Sequence, residues 1–242
     1  MLNAVNGEAG HAELMDSVYR YQRHIYDFTR KYYLFGRDSL IDAMALKPGA
    51  RVVEVGCGTA RNLIRMARRY PGVQLFGLDA SEAMLETASR AITKAGLEGR
   101  IGVAHGYAEA LNPELFGGSE PFDDIVFSYS LSMIPDWKQG LKAAAGALAP
   151  GGRIHIVDFG DLANLPAPAR KALLKWLGLF HVSPRMELLG SLEQSSGKFQ
   201  RFQLLTGRYA FSLSAPGDAF SGPCERVALQ SHGAEKSGLE PA

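Results

Sequence analysis

Residues 50–62, Ala-Arg-Val-Val-Glu-Val-Gly-Cys-Gly-Thr-Ala-Arg-Asn, and Gly77-Leu-Asp-Ala-Ser81 one helix later constrain the fold more than any other part of the chain. Val52, Val53 and Val55 form a short β-branched run that stops at Gly56-Cys57-Gly58, after which Leu63, Ile64, Met66 and Ala67 recur at helical spacing. The order is strand, tight turn, helix. Glycine in such a turn permits positive φ and lets a ligand approach bare backbone. Asp79 closes a second apolar run, Val73 to Leu78, where a carboxylate can accept both hydroxyl protons of a ribose. The unit therefore reads as a nucleoside binder. A dinucleotide fold needs glycine at the sixth position of the turn to bring a helix N-terminus to a pyrophosphate, and here that position is Arg61. Glu54, two residues before the first glycine, suits a positively charged ligand end better than a phosphate.

Helical and strand-like runs alternate from about residue 40 to about residue 160, the pattern of a mostly parallel sheet covered by helices on both faces. Strands are expected near 51–56, 73–79, 101–105, 123–129 and 152–158, with helices near 60–70, 81–95 and 138–148. Pro150-Gly-Gly152 marks the turn into the fifth strand. Phe199 to Leu205 and Arg208 to Ser214, split by Thr206-Gly207, read as a hairpin. Three segments follow: an N-terminal helical lid over 1–40, the main domain over 41–214, and a tail over 215–242 whose Gly, Ser, Pro and alternating charges read as disordered.

With 242 residues, 46% of them hydrophobic and 21% charged, the chain can bury one sizeable core. A formal net charge of +1 argues against a bulk nucleic-acid binder. No apolar run reaches the roughly 18 residues of a membrane span, and Met1 to Gly10 has no signal pattern, so a cytoplasmic protein is expected. Cys57 and Cys224 give neither a disulfide framework nor a metal spacing, and no metal is expected. His105 and His155 lie in strand-like runs and read as hydrogen-bonded strand residues.

Two segments are left over from nucleoside binding. In the N-terminal helix, Leu14, Val18, Tyr21, Ile25, Phe28, Tyr32 and Phe35 follow one buried stripe, while Tyr19, Arg23, Tyr26, Arg30, Tyr33 and Arg37 follow another. Aromatic faces attract an ammonium and Arg forks a carboxylate, so this second stripe suits a zwitterionic amino acid. The plainer reading is a solvated face. The other segment is Phe122 to Trp137. Ligands of open α/β sheets sit outside the carboxyl ends of strands, here Ser128 to Ser132 and Asp158 to Asp161. Asp136 and Trp137 suit a helix cap.

Glu54-Val-Gly56-Cys-Gly58-Thr-Ala60 resembles the first motif of the class I S-adenosylmethionine-dependent methyltransferases, acidic-x-Gly-x-Gly-x-Gly, with Ala60 in place of the third glycine. Tyr19 to Arg30, Gly36-Arg-Asp38, Ser128 to Trp137 and His181-Val-Ser-Pro-Arg185 are similar to the N-methyltransferase of bacterial betaine-lipid synthesis. The resemblance covers about residues 11–214. It implies a Rossmann-like seven-stranded, mostly parallel sheet with an antiparallel C-terminal hairpin. It also implies S-adenosylmethionine held by Glu54, Gly56, Cys57, Gly58, Thr59, Arg61 and Asn62, with Asp79 on the ribose. Ala80, Met84, Ala108, Glu109, Ser128 and Ser130 complete the implied cofactor contacts. The third strand ends in Gly106-Tyr107 where many such enzymes carry Gly-Asp.

The implied substrate is diacylglyceryl-homoserine, with Tyr19, Arg23, Arg30, Tyr33 and Arg37 as the binding residues. The implied reaction is in-line methyl transfer to a neutral amine, repeated to the trimethylated lipid. A primary alkyl amine has a pKa near ~10 by analogy with lysine, so a proton must leave first, and Tyr26, Asp27 or Tyr129 could relay it. A lipid substrate requires membrane access. Leu165 to His181 mixes Arg170, Lys171 and Lys175 with Trp176, Phe180 and leucines, the composition of an interfacial helix on the inner membrane's anionic surface, or of a helix lying on the sheet. An aminocarboxypropyl transferase making the homoserine lipid is the implied pathway partner. A soluble small-molecule N- or O-methyltransferase and a non-catalytic cofactor- or lipid-binding module share many of these features.

Overall fold

The computed structural model describes residues 34–179, 182–194, 201–206 and 208–220. Tyr19, Arg23, Tyr26, Asp27, Arg30 and Tyr33 of the expected N-terminal helix lie outside the described residues, as do Phe180, His181 and the tail beyond Phe220.

In chain order the elements are α1 (Arg37–Ala43), β1 (Arg51–Val55), α2 (Arg61–Arg69), β2 (Gln74–Asp79), α3 (Glu82–Lys94), β3 (Ile101–His105), β4 (Phe122–Ser128), α4 (Trp137–Ala147), β5 (Leu148–Phe159), α5 (Ala167–Gly178), α6 (Met186–Gln194), β6 (Arg201–Leu205) and β7 (Ala210–Pro216). One seven-stranded sheet has the order β3-β2-β1-β4-β5-β7-β6. β1 to β5 are parallel, and β7 runs antiparallel to both β5 and β6. The strand order reverses between β1 and β4, which opens a crevice at their carboxyl ends.

Both faces of the sheet are covered, so the strands are apolar at odd and even positions alike. Val52, Leu75, Val126 and Val157 meet Ile41 and Met44 of α1, Leu63 and Met66 of α2, and Ala88 and Ile92 of α3. Val53, Val55, Ile125, Phe127 and Ile156 meet Trp137, Leu141 and Ala144 of α4 and Leu188 and Leu189 of α6. Ser81 caps α3 by accepting the Met84 N–H, and Asp136 caps α4 by accepting the Gln139 N–H. His155 is held as the sequence suggested: Nε2 lies 2.8 Å from Asp124 Oδ1 and Nδ1 lies 2.8 Å from Ser214 Oγ.

The structure differs from the sequence reading in two boundaries. β5 begins at Leu148 because Leu148 pairs with Phe122 and a register shift takes up Pro150-Gly151-Gly152. β7 continues through Pro216, past the expected boundary at 214, because Ala215 is fully buried opposite Ile154; Gly217–Phe220 then forms a 3₁₀ turn. Pairing on a central strand outweighs the polar composition that begins there.

Candidate active site

The first apolar strand places Glu54 and the glycine turn at the carboxyl end of β1. Gly56 and Gly58 have φ of 74° and 54°, and Ala60, in the third glycine position, has φ of 62°. Alanine therefore adopts the left-handed conformation there at a backbone cost of about 1 kcal/mol. The Gly56 and Cys57 N–H groups both donate to the Leu78 carbonyl, which ties the turn to β2. Beneath the turn, Asn62 Nδ2 donates to Glu54 Oε1 at 2.7 Å, and both side chains are buried.

Asp79 ends β2 with a half-buried carboxylate. Oδ2 accepts the Gly58 N–H at 2.7 Å and Oδ1 accepts the Ser81 N–H at 3.0 Å. A carboxylate has about four acceptor positions, and a ribose hydroxyl is the kind of donor that one at this strand end can take. His105 Nε2 lies 3.0 Å from the carbonyl of the exposed Ala80, which joins the ends of β2 and β3. Met84 is buried on α3, Ala108 is buried at the start of the 3₁₀ turn after β3, and Glu109 and Tyr107 are exposed.

The loop after β4 closes the other side of the crevice. A Cβ placed on Gly56 would stand 2.6 Å from the Cβ of Ser130, so only glycine lets this loop lie against the turn. The hydroxyls of Ser128 and Ser130 are buried and have no hydrogen-bond partner among the described residues. Buried hydroxyls without partners are costly, and a polar ligand in the crevice would satisfy them. The glycine turn, Asp79 and these serines fit the amino-acid and ribose parts of S-adenosylmethionine. When bound, that cofactor supplies a methyl group on a sulfonium, a good leaving group.

Two of the expected cofactor residues have side chains held by other parts of the protein. Arg61 turns outward: its Nη1 donates to Asp38 at 2.9 Å and to Asn62 Oδ1 at 3.2 Å, so it ties α1 to α2 and holds the Asp38 carboxyl below the usual carboxylate range. The Cys57 side chain packs beside Gly77 in the core, and burial pushes its thiol well up, so only its backbone belongs to the turn. Thr59 is half-buried on the turn.

Tyr129 has φ of 56°, a strained conformation for an aromatic residue that breaks the strand and directs its ring inward. Its hydroxyl donates to the Phe35 carbonyl at 2.7 Å, and its ring meets Phe159 edge-on at 4.8 Å. Phe159 and Phe35 in turn pack on Tyr209, giving an aromatic cluster at the carboxyl ends of β4 and β5. Burial, with Asp158 nearby, pushes the Tyr129 hydroxyl well above its ordinary pKa. Tyr129 is therefore a poor proton acceptor, and its observed bond anchors the segment leading into α1. Arg37 is buried at the start of α1, where its charge acts on Tyr129. Its Nε donates to the Leu34 carbonyl at 3.3 Å.

Sequence reasoning placed Asp158 at a strand end without giving it a task. It is 2% exposed; Oδ2 accepts the Ser132 N–H at 3.0 Å and Oδ1 accepts the Phe159 N–H at 2.7 Å. Burial pushes its carboxyl up to about 6 against these hydrogen bonds. The charged residue closing an apolar strand was the available signal.

A family model described as a methyltransferase domain matches residues 52–152. The chain is 27% identical over 186 residues to a ubiquinone/menaquinone biosynthesis C-methyltransferase of Geotalea daltonii, covering 74% of this chain and 73% of that protein. It is 32% identical over 147 residues to a demethylmenaquinone methyltransferase of Bacillus cytotoxicus, covering 60% of this chain and 56% of that protein. A 27-O-demethylrifamycin SV methyltransferase of Amycolatopsis mediterranei is 34% identical over 132 residues, 54% of this chain and 46% of that protein. The chain thus spans about half the length of the last two relatives. In fold it matches a SAM-dependent methyltransferase from Aquifex aeolicus with a TM-score of 0.55 at 18% identity, over 77% of this chain and 92% of that one. The glycine turn and the strand order agree with these likenesses, which are to S-adenosylmethionine-dependent methyltransferases of class I fold.

Proposed function

We propose that the protein is an N-methyltransferase that successively methylates the amino group of diacylglyceryl-homoserine to the trimethylated betaine lipid. The observation that carries this reading is the meeting of three narrow sequence blocks at one place. Tyr129 of the Ser128–Trp137 block donates to Phe35, next to Gly36-Arg37-Asp38. The Ser183 N–H donates to the Ser132 carbonyl at 2.8 Å, and Arg185 donates to the carbonyls of Leu131 and Ile134, which brings in residues 182–185.

The chemistry of that place suits the substrate. Aromatic rings tolerate primary through quaternary amines, because attraction between a ring face and a cation requires no N–H. The buried Arg37 beside Tyr129 supplies positive charge for a carboxylate. A proton must still leave each amine before methylation. Tyr129 is unsuited to take it, which leaves Tyr26 and Asp27 as candidates, both outside the described residues.

Lipid access would come through α5. Among its residues only Leu177 is buried; Trp176 is 37% exposed, Leu179 just beyond is 67% exposed, and Arg170, Lys171 and Lys175 are exposed beside them. Such a surface favours an anionic interface, with each cation adding roughly 1 kcal/mol. No helix among the described residues is long and apolar enough to cross a membrane. The aminocarboxypropyl transferase remains the proposed supplier of the substrate.

A second reading, C-methylation of a demethylated quinone, is favoured by the likeness to the Geotalea and Bacillus proteins. Vesicles carrying either diacylglyceryl-homoserine or a demethylmenaquinone, each supplied with methyl-labelled S-adenosylmethionine, separate the two. Label on the lipid amine is the expected result. Label on the quinone alone would replace the proposal with the second reading.

A further inference from the structure

We propose that Asp158 and Arg185 form a clamp that positions the Ser128–Ser132 loop against the cofactor turn, acting on the methyl-transfer site through the loop backbone and not by touching the reacting atoms. The clamp holds consecutive peptide groups from opposite sides. Asp158, at the end of β5, accepts the Ser132 N–H, while the Ser183 N–H holds the Ser132 carbonyl. Arg185, just before α6, donates from Nε to the Leu131 carbonyl at 2.9 Å and from Nη2 to the Ile134 carbonyl. The carboxyl side of the loop is thereby fixed by elements distant in sequence, while its start is held by the Tyr129 N–H donating to the Val157 carbonyl at 2.7 Å.

The loop needs fixing. It starts with the left-handed Tyr129, and its Ser130 lies where a single methyl on Gly56 would collide with it. A strained backbone persists only when its surroundings over-determine it. The Ser128 and Ser130 hydroxyls, without hydrogen-bond partners among the described residues, travel with the loop, so its position decides whether they face a bound adenosyl ligand. Among the described residues, the charged and titratable groups acting on Asp158 are Arg185, from the segment before α6, and Tyr129, from the loop itself. Protonation of Asp158 removes an acceptor from the clamp. The carboxyl titrates at about 6, so the clamp weakens as pH falls through that value. None of this depends on which acceptor is methylated.

The test is calorimetric binding of S-adenosylhomocysteine to the full chain, without lipid, at about pH 7.5 and about pH 5, spanning the raised carboxyl. D158N keeps the shape but offers one acceptor oxygen for two N–H donors, and R185Q removes the forked donor. At neutral pH each variant should bind about tenfold more weakly, as expected for losing one charge-assisted hydrogen bond. The wild type should lose a similar factor on acidification, D158N should show no such loss, and R185Q should retain it. Any titration of the ligand is common to all three proteins and cancels. A merely structural Asp158 would lower thermal stability without changing the pH slope of binding. Folded variants that bind within twofold of wild type, or a D158N slope equal to that of wild type, overturn the proposal. If D158N does not fold, the affinity of R185Q decides.

Discussion

Replacing Gly56 with alanine introduces two separable penalties at the centre of the cofactor site. At φ of 74° an alanine adopts the left-handed region, which costs about 1–2 kcal/mol. The added methyl would stand 2.6 Å from Ser130 Cβ, well inside the roughly 3.5–4.0 Å of a carbon contact. Relieving that overlap means moving the turn or the loop by about 1 Å, at the 1–3 kcal/mol typical of overpacking. Together the variant should lose about 2–5 kcal/mol, read from urea denaturation as a lower midpoint at unchanged slope. Binding of S-adenosylhomocysteine should fall by about 100-fold, because the turn and the loop shift together. The double variant Gly56→Ala with Ser130→Gly removes the colliding Cβ and leaves only the dihedral cost. It should recover stability to within about 2 kcal/mol of a Ser130→Gly control. A Gly56→Ala protein within about 0.5 kcal/mol of wild type and with unchanged affinity would refute this packing of turn against loop.

Asp79→Ala leaves the N–H groups of Gly58 and Ser81 without their acceptor. It should lower stability by about 2 kcal/mol and cofactor affinity by about 100-fold or more in the same two assays. Arg61→Ala breaks a half-exposed ion pair with Asp38 and should change cofactor affinity by less than about twofold and stability by less than about 1 kcal/mol. A large affinity loss would instead return Arg61 to the cofactor site. For Asp158, the folded carboxyl at about 6 lies above the ordinary aspartate value of 3.8, so the native state binds the extra proton between those values. This group therefore makes the fold less stable as pH rises through its folded pKa and more stable as pH falls. Denaturation of wild type minus D158N should show a gain of about 1 kcal/mol for wild type between pH 7 and pH 5, and a flat difference would refute the raised carboxyl.

The alternation of apolar runs was enough to place β1, α2, β2, α3 and β3 within a residue or two, because each is bounded by a turn or cap visible in the sequence, such as Gly56-Cys-Gly58 or Ser81. The start of β5 was hidden, because pairing of Leu148 with Phe122 is a long-range choice that overrides Pro150-Gly-Gly152. Buried Ala215 was hidden in the same way by the polar residues that follow it. Within the candidate site, the positive φ of Gly56 and Gly58 was legible from glycine spacing. Long side chains were not. Arg61 sits one residue from Asn62 in the motif, yet its partner Asp38 is 23 residues back, and local sequence cannot say which way a guanidinium turns. Asp158 and Arg185 stand in different blocks, and their shared task depends on the loop between β4 and α4 passing between them.

A crystal structure with bound S-adenosylhomocysteine tests the site most directly. The ribose hydroxyls are expected on Asp79, the homocysteine end between the Gly56–Gly58 backbone and the Ser128 and Ser130 hydroxyls, and Arg61 still on Asp38. A ligand seated away from Asp79, or one reached by Arg61 but by neither serine, would contradict this arrangement.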